Sequence, residues 1–428
     1  MPGAGPEGSR GHRAGEDRTT AGGNSMKLGV LIVNSRKPVP PWLLRLPEVG
    51  DISVITEPPY AGDFPPEVEV RTVPSIMDVD AVRRAALDVM RVRPVDRVLS
   101  PAEHAISTSG YLRSTLGLPG LGHEASLACS NKYVMKREFV RAGLPVTPFR
   151  QITDLGGVEE AATETGWPVV VKPVYGGGSL DVFVLEDEAR YREFAQMPTS
   201  AGLRASAHPL IVEKYVDIAD EYHIDGVVHE GKVVFTAPSR YFTPLLGNID
   251  AFTGSYLVPP DDLHHDTLMS LHERAVRAVG LESGVTHLEV FRTEAGFLVG
   301  EIACRPAGAG IPDAVLLGTG VDLWRAWSRT ALGLDPDVTP KPGAPIVVNC
   351  ELPIRAGLIT ELTEADELLA LPGVVRVDML HKVGDTVPER LHSSSATGIV
   401  FYEAASETEV WERLRIIRDT FVLRTDRD

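Results

Sequence analysis

The stretch THLEVFRTEAGFLVGEIACRP, residues 286–306, decides the fold. Two runs rich in branched and aromatic residues, 286–291 and 297–303, flank Glu294-Ala295-Gly296, and a glycine-ended turn between such runs predicts a β-hairpin. With Gly296 in the left-handed position of a three-residue loop, Thr293 pairs with Phe297 and Glu289 falls opposite Glu301. Period-two alternation then puts His287, Glu289, Phe291, Val299, Glu301, Ala303 and Arg305 on one face, with Leu288, Val290 and Ile302 turned to a core. Opposed carboxylates repel unless something positive lies between them. A hard divalent cation with oxygen ligands meets that need, and a site of few carboxylates plus substrate phosphates is magnesium-like. The alternative is two solvated carboxylates in a register shifted by one.

Upstream, PVVVKPV (168–174) and DVFVLE (181–186) read as strands around the turn YGGGS (175–179). Lys172 sits inside a valine-rich strand, where an unpaired ammonium is costly and an anionic ligand would offset the cost. Gly176, Gly177 and Gly178 let backbone N–H groups approach such an anion, although a tight hairpin would also use them. No G-x-x-x-x-G-K-[ST] is present, so this is not a Walker loop. The strand LIVEKYV (210–216) ends in Glu213, Lys214, Tyr215 and Val216, with Glu221 shortly after. A polar strand end can read the edge of a base, and a carboxylate can accept two ribose hydroxyls; an ordinary amphipathic edge is the alternative.

In this order, Asn131-Lys132 in a helix, Lys172-Pro173 closing a valine run, the 176–178 glycines, Glu213-Lys214-Tyr215-Val216, Glu221-Tyr222, Glu289 and Glu301 resemble the ATP-grasp superfamily. The likeness runs directly over residues 126–335. It implies that Lys132 and Lys172 contact ATP phosphates beneath the Gly176–Gly178 loop. Glu213, Lys214, Tyr215 and the backbone near Val216 would hold adenine, and Glu221 the ribose. Glu289 and Glu301 would hold two magnesium ions.

Within the superfamily, GVTHLE (284–289), EIACRPAG (301–308) and the later runs PGVVRV (372–377), KVGDTV (382–387) and GIVFYEAASETEVWERL (398–414) are most similar to the L-amino-acid ligases, which join unprotected amino acids into dipeptides. The activity implied is an ATP- and magnesium-dependent carboxylate–amine ligase working through an acyl phosphate. Arg305 would meet substrate carboxylate or transferred phosphate, both of which its guanidinium fork suits. Glu301 and His287 complete the implied catalytic set; His287 would orient substrate, or is a packed strand histidine. Tyr241, Phe242, Phe252 and Tyr256, in the loop 238–256, would shape the substrate pocket. Ala303 stands where many superfamily members have Asn, so one magnesium ligand is missing or replaced by water or substrate. The alternatives are biotin-type carboxylation, a small-molecule kinase, or a nucleotide-binding regulatory protein whose catalysis has decayed.

Around this core the chain reads as α/β and α+β: an ATP-grasp fold with an N-terminal parallel α/β domain and a small C-terminal α+β cap. LGVLIVNS (28–35), DISVIT (51–56), EVEVRTV (67–73) and DRVLS (96–100) alternate with a helix at 78–92, which predicts a parallel sheet. It has no G-x-G-x-x-G turn, so a dinucleotide site there is not expected. A helix follows at 130–143, capped by Ser130 and stopped by Gly143. Residues 221–237 read as a hairpin, 238–265 as a long polar loop, and 266–280 and 321–333 as helices, with Trp324 and Trp327 in the core. The expected divisions are a disordered tail at 1–25, with seven Gly and no branched aliphatic residue, an α/β domain at 26–125, an ATP-grasp domain at 126–340 (126–216 and 217–340), and the cap at 341–428.

At 428 residues and 43% hydrophobic content, the chain has the length for two or three cored domains. Its net charge of −17 (42 basic against 59 acidic residues) argues against nucleic acid or an anionic membrane as partner. A small anion in a local basic pocket is still allowed. The sequence has no run long enough to span a membrane and no secretory signal, so a soluble, cytoplasmic protein is expected. Cys129, Cys304 and Cys350 lack metal-ligand spacing. The expected partners are amino acids or a related acid and amine, with a homodimer suggested by relatives. Only nine of the 42 basic residues are Lys, yet Lys132, Lys136, Lys172 and Lys214 cluster in one stretch.

Overall fold

The computed structural model describes residues 27–35, 39, 43, 46–246, 251–341, 346–392 and 395–427. The expected tail at 1–25 lies outside them. Strand Leu28–Val33 is apolar on both faces because both are covered. It lies inside a four-stranded parallel sheet ordered 69–72, 49–56, 28–33, 97–99. Leu31 and Val33 pack with Val82, Ala86 and Val89 of helix Val79–Met90. Val30 and Ile32 pack on Val227, Val285 and Trp327, which joins this unit to the next. Trp324 and Trp327 meet edge to face at 5.8 Å; Trp327, 4% exposed, is in the core as expected, while Trp324 is only partly buried and packs against it.

The expected helix at 130–143 is Lys132–Arg141, and its cap is Asn131 rather than Ser130. Asn131 Oδ1 accepts from the backbone N–H groups of Tyr133 and Val134, at 3.1 Å each. Ser130 is spent on the preceding turn, donating to the Ser126 carbonyl at 2.8 Å. The one-residue shift makes Lys132 the first helical residue and sets Lys136 one turn on, facing the same way. A four-stranded antiparallel sheet, ordered 149–152, 210–214, 169–173, 183–185, forms one wall of the central cleft. The strand at 210–214 is shorter than the expected 210–216.

The other wall belongs to an eight-stranded sheet, ordered 296–303, 284–293, 220–229, 232–241, 253–257, 346–351, 398–404, 374–379. The hairpin tip departs from the expected register, since Thr293 pairs with Gly296. Lower down, Val290 pairs with Val299 but Leu288 pairs with Ile302, so Glu289 faces two residues, Gly300 and Glu301. This bulge restores the expected pairing at His287 and Leu288 and still brings Glu289 and Glu301 together. It also turns Val299 into the core with Val290 and Ile302, correcting its assignment to the carboxylate face.

The expected polar loop 238–265 contains strand Thr253–Leu257, and strand Lys232–Tyr241 runs past its expected end. Polar Thr253 and Ser255 are buried because neighbouring strands supply their partners: Thr253 Oγ1 donates to Glu351 at 3.0 Å and Ser255 Oγ to Asn349 at 2.8 Å. Gly254, at φ +139, lies so close to the next strand that a Cβ would stand 2.0 Å from the Asn349 carbonyl oxygen. Gly254→Ala is expected to cost at least about 2 kcal/mol in denaturant unfolding, and an unchanged midpoint would contradict this packing.

After residue 345 the chain adds three strands to the same sheet and builds a separate three-stranded one, ordered 386–387, 357–362, 423–425. Ile346–Glu351 pairs with Thr253–Leu257 and Gly398–Ala404, and helix Glu407–Thr420 covers Val348, Cys350 and Tyr402.

Candidate active site

One cleft between the two sheets brings together Lys132, Lys172, Gly176, Gly177, Gly178, Glu213, Lys214, Tyr215, Val216, Glu221, Glu289 and Glu301. His287 and Arg305 stand at its margin. His287 Nε2 is 4.0 Å from Glu289 Oε1, and a Cβ on Gly177 would lie 3.9 Å from Arg305 Nη2.

Glu213 lies at the centre of the cationic side. Its Oε2 is 3.0 Å from Lys136 Nζ and accepts from Thr147 Oγ1 at 2.9 Å, and its Oε1 is 3.1 Å from Lys172 Nζ. Burial alone would raise its carboxyl, but Lys136 and then Lys172 overcome this and hold it at about 2. Lys172 is partly buried, which would lower it, yet Glu213 and Glu301 raise it above its ordinary value. Lys136 is lowered by burial and by the repulsion of Lys172, although Glu213 opposes both. The Glu213 carboxylate therefore fixes lysines and is not free to meet a base, which leaves its backbone for that role. Lys214 is likewise committed, donating to the Trp167 carbonyl.

Lys132 Nζ donates to the Gly176 carbonyl at 2.5 Å and lies 3.2 Å from Glu301 Oε2, tying the glycine loop to the hairpin. Gly176 and Gly178 have φ of +124 and +69, which only glycine adopts without strain. Glu301 is held low by Lys132 and Lys172 against its burial. Glu289 is less well compensated: burial and then Glu301 push it up to about 7, against the weaker pull of His287, Lys172 and Lys132. Glu221, buried and repelled by Glu289, is pushed up to about 8, and it accepts from Leu245 N at 2.9 Å. Unrelieved repulsion between oxygen donors fits a hard divalent cation at Glu289 and Glu301. Arg305 Nε donates to Glu103 Oε2 at 2.6 Å, which aims the guanidinium along the rim of the cleft.

Residues 165–313 match the ATP-grasp domain family, and residues 352–426 match L-amino acid ligase C-terminal domain 2. An L-arginine-specific L-amino acid ligase from Bacillus subtilis is 30% identical over 408 residues, covering 94% of this chain and 98% of that one. The chain belongs to the L-amino acid ligases of the ATP-grasp superfamily. Dapdiamide A synthase from Enterobacter agglomerans is 24% identical over 51% of this chain and 52% of its own. A solved L-amino acid ligase from Bacillus licheniformis superposes with a TM-score of 0.75 at 18% identity, covering 94% of this chain and all of that one, a likeness of fold. The ligase is thus an ATP-dependent enzyme of the C–N bond-forming class. Among its described residues, no helix is long and apolar enough to cross a membrane.

Some of the ligase's cleft was not legible in its sequence. Lys136 stood out only by clustering, Glu103 gave no signal, and Thr147, Leu245 and Leu246 line the wall unannounced, whereas Phe291 lines it on the face that alternation gave it. Phe242 and Tyr256, expected to shape a substrate pocket, instead pack on Trp411, with ring centroids at 5.6 and 6.4 Å. Phe252 meets Phe421 edge to face, and Tyr241 lies beside His223. The C-terminal helix draws Phe242 and Tyr256 into the core it covers, with Phe252 packed against it.

On the same sheet the ligase buries Glu351, 4% exposed, with Thr253 as its hydrogen-bond donor. Burial pushes this carboxyl up from 4.5 to about 7. A carboxyl raised on folding binds its proton more tightly in the folded state, so it costs stability as pH rises across that interval. Glu351→Gln is expected to remove this fall and to add up to about 3 kcal/mol at about pH 8. Urea unfolding of both proteins on either side of neutrality checks it; parallel pH slopes would contradict it.

Proposed function

We propose that the cleft binds ATP with magnesium and activates an amino-acid carboxylate as an acyl phosphate, which the amino group of a second amino acid then attacks to form a dipeptide. Lys132, Lys172 and the backbone of Gly176–Gly178 take the phosphates, the strand end Glu213–Val216 takes adenine through its backbone, and Glu221 takes the ribose. Glu289 and Glu301 would hold magnesium, which would supply positive charge to offset that of the phosphates during transfer. Arg305, braced by Glu103, receives the substrate carboxylate or the transferred phosphoryl group. Catalysis then rests on positioning and charge neutralisation, which is most of what phosphoryl transfer asks of a protein.

The observation that carries this reading is the meeting of Glu289 and Glu301 at one bulge, within reach of Lys132 and Lys172. The relative matched over most of the chain is named for L-arginine, so arginine is the first substrate to test, as acid and as amine. We read 26–125, 126–340 and 341–428 as the domains, and three buried free cysteines support a reducing, cytoplasmic setting. The test is phosphate release across amino-acid pairs, with mass spectrometry of the products. Release that needs both partners and yields their dipeptide supports the proposal, whereas no stimulation by any pair overturns it.

A further inference from the structure

Residues 304–310 lead from strand Gly296–Ala303, at one edge of the eight-stranded sheet, to helix Ile311–Thr319. On the way they meet strand Ile346–Glu351, well across the same sheet, where Asn349 Nδ2 donates to the Ala309 carbonyl at 2.9 Å. Ala307 and Ile311 on either side are 4% and 3% exposed, so the segment is pressed against the protein. Ala309 has φ +59, a left-handed conformation that strains a residue with a Cβ by about 1–2 kcal/mol. Such a conformation persists only where the surroundings hold it, and it marks places where position matters to function. Gly310 follows at φ +72, and a Cβ there would stand 2.9 Å from the Phe401 ring, which leaves the backbone no room to slide.

Asn349 is the fixed end of this contact. It is 2% exposed, and its Oδ1 accepts from Ser255 Oγ at 2.8 Å. A backbone carbonyl only accepts, so the amide nitrogen is the atom beside Ala309, and the Ser255 hydroxyl agrees with that orientation. Ser255, 1% exposed, also lies 2.8 Å from His223 Nε2, which holds it from the other side. At the start of the segment, Arg305 Nη1 donates to the Pro306 carbonyl at 3.0 Å while Nε meets Glu103. The guanidinium is thus folded back on the backbone that Asn349 holds, and a shift of residues 306–310 would turn it.

We propose that Asn349 is a positioning residue of the ligase: by holding the Ala309 carbonyl it fixes the path of residues 306–310 and, through the Pro306 carbonyl, the aim of the Arg305 guanidinium. This rests on the role given to Arg305 above. Asn349 lies in the part of the chain read as the cap, 341–428, so that part helps to build the site rather than only covering it.

The test measures dipeptide formation and ATP affinity for Asn349→Ala and Asn349→Leu, each alone and combined with Arg305→Lys. Leu keeps the volume without the donor, and it decides alone if Asn349→Ala does not fold. Each single Asn349 variant is expected to lower kcat about 10- to 100-fold, as a misaimed group does, while ATP affinity stays within about twofold. Lysine keeps the charge at 305 but lacks the two-pronged fork, so there is no fork left to aim. Adding the Asn349 change to Arg305→Lys should therefore lower kcat by less than about threefold more. A single variant within about twofold of wild-type kcat, or an equal fall in the Arg305→Lys background, would overturn the inference and leave the ligase reading standing. Arg305→Lys at the wild-type rate would overturn the inference together with the role of Arg305. A wild type that joins no amino-acid pair overturns the ligase reading and the inference with it.

Discussion

Replacing Glu301 with Gln is expected to cut turnover about a thousandfold or more while changing ATP affinity only modestly. Gln keeps the volume and one oxygen but removes the charge that opposes Glu289 across the bulge. With that charge gone, Glu289 keeps the burial that raises its carboxyl but loses the repulsion of Glu301, and one anionic oxygen donor group is left where two had met. Lys132, 3.2 Å from Glu301, loses its carboxylate but keeps the Gly176 carbonyl, so the glycine loop stays tied. The ground-state complex should therefore form, because Lys132 and Lys172 still meet the phosphates, and the loss should fall on kcat. Steady-state kinetics at saturating magnesium, with ATP affinity by calorimetry, separate the two effects. A variant within tenfold of wild-type kcat would remove Glu301 from the catalytic machinery.

The second large effect is on folding. Glu213 is 5% exposed and lies between Lys136, which is 1% exposed, and Lys172. Glu213→Gln leaves buried Lys136 and partly buried Lys172 without the carboxylate they share, and breaking such a pair from one side typically costs about 3–5 kcal/mol. Adding Lys136→Met should recover part of that loss, since an apolar side chain of similar length suits the helix face that Lys136 occupies. The pH dependence carries the same signature. Glu213 is depressed from 4.5 to about 2 on folding, so its contribution is complete above the upper value and lost as pH falls through the lower. Wild type should lose stability across that acid interval, and Glu213→Gln should be flatter there. Urea midpoints within about 1 kcal/mol of each other at neutral pH would show that the lysines need no counterion.

What the sequence made legible follows the physics of each element. Strand Leu28–Val33 could be read from composition because a parallel strand buried on both faces is apolar throughout. The cleft could be read because lysine in a valine strand and paired carboxylates on a hairpin are both costly without a ligand. Strand Thr253–Leu257 was hidden because its buried positions are polar and are satisfied by Glu351, Asn349 and His223, residues far away in sequence. The bulge at Gly300-Glu301 was hidden because alternation carries no mark of an extra residue; only the packing of Phe291 on Gly300, where a Cβ would stand 2.9 Å from the ring, explains it. Asp225 and His223 looked like ordinary strand residues until the sheet brought His287 beside them.

The fate of one oxygen atom tests the central claim most directly. An amino acid labelled with 18O in its carboxylate is turned over with ATP, magnesium and an unlabelled amine partner, and the released phosphate is analysed by mass. If the carboxylate attacks ATP to give an acyl phosphate in the Lys132–Lys172–Glu301 cleft, each dipeptide formed leaves one labelled oxygen in inorganic phosphate. Dipeptide formed with unlabelled phosphate would contradict that chemistry.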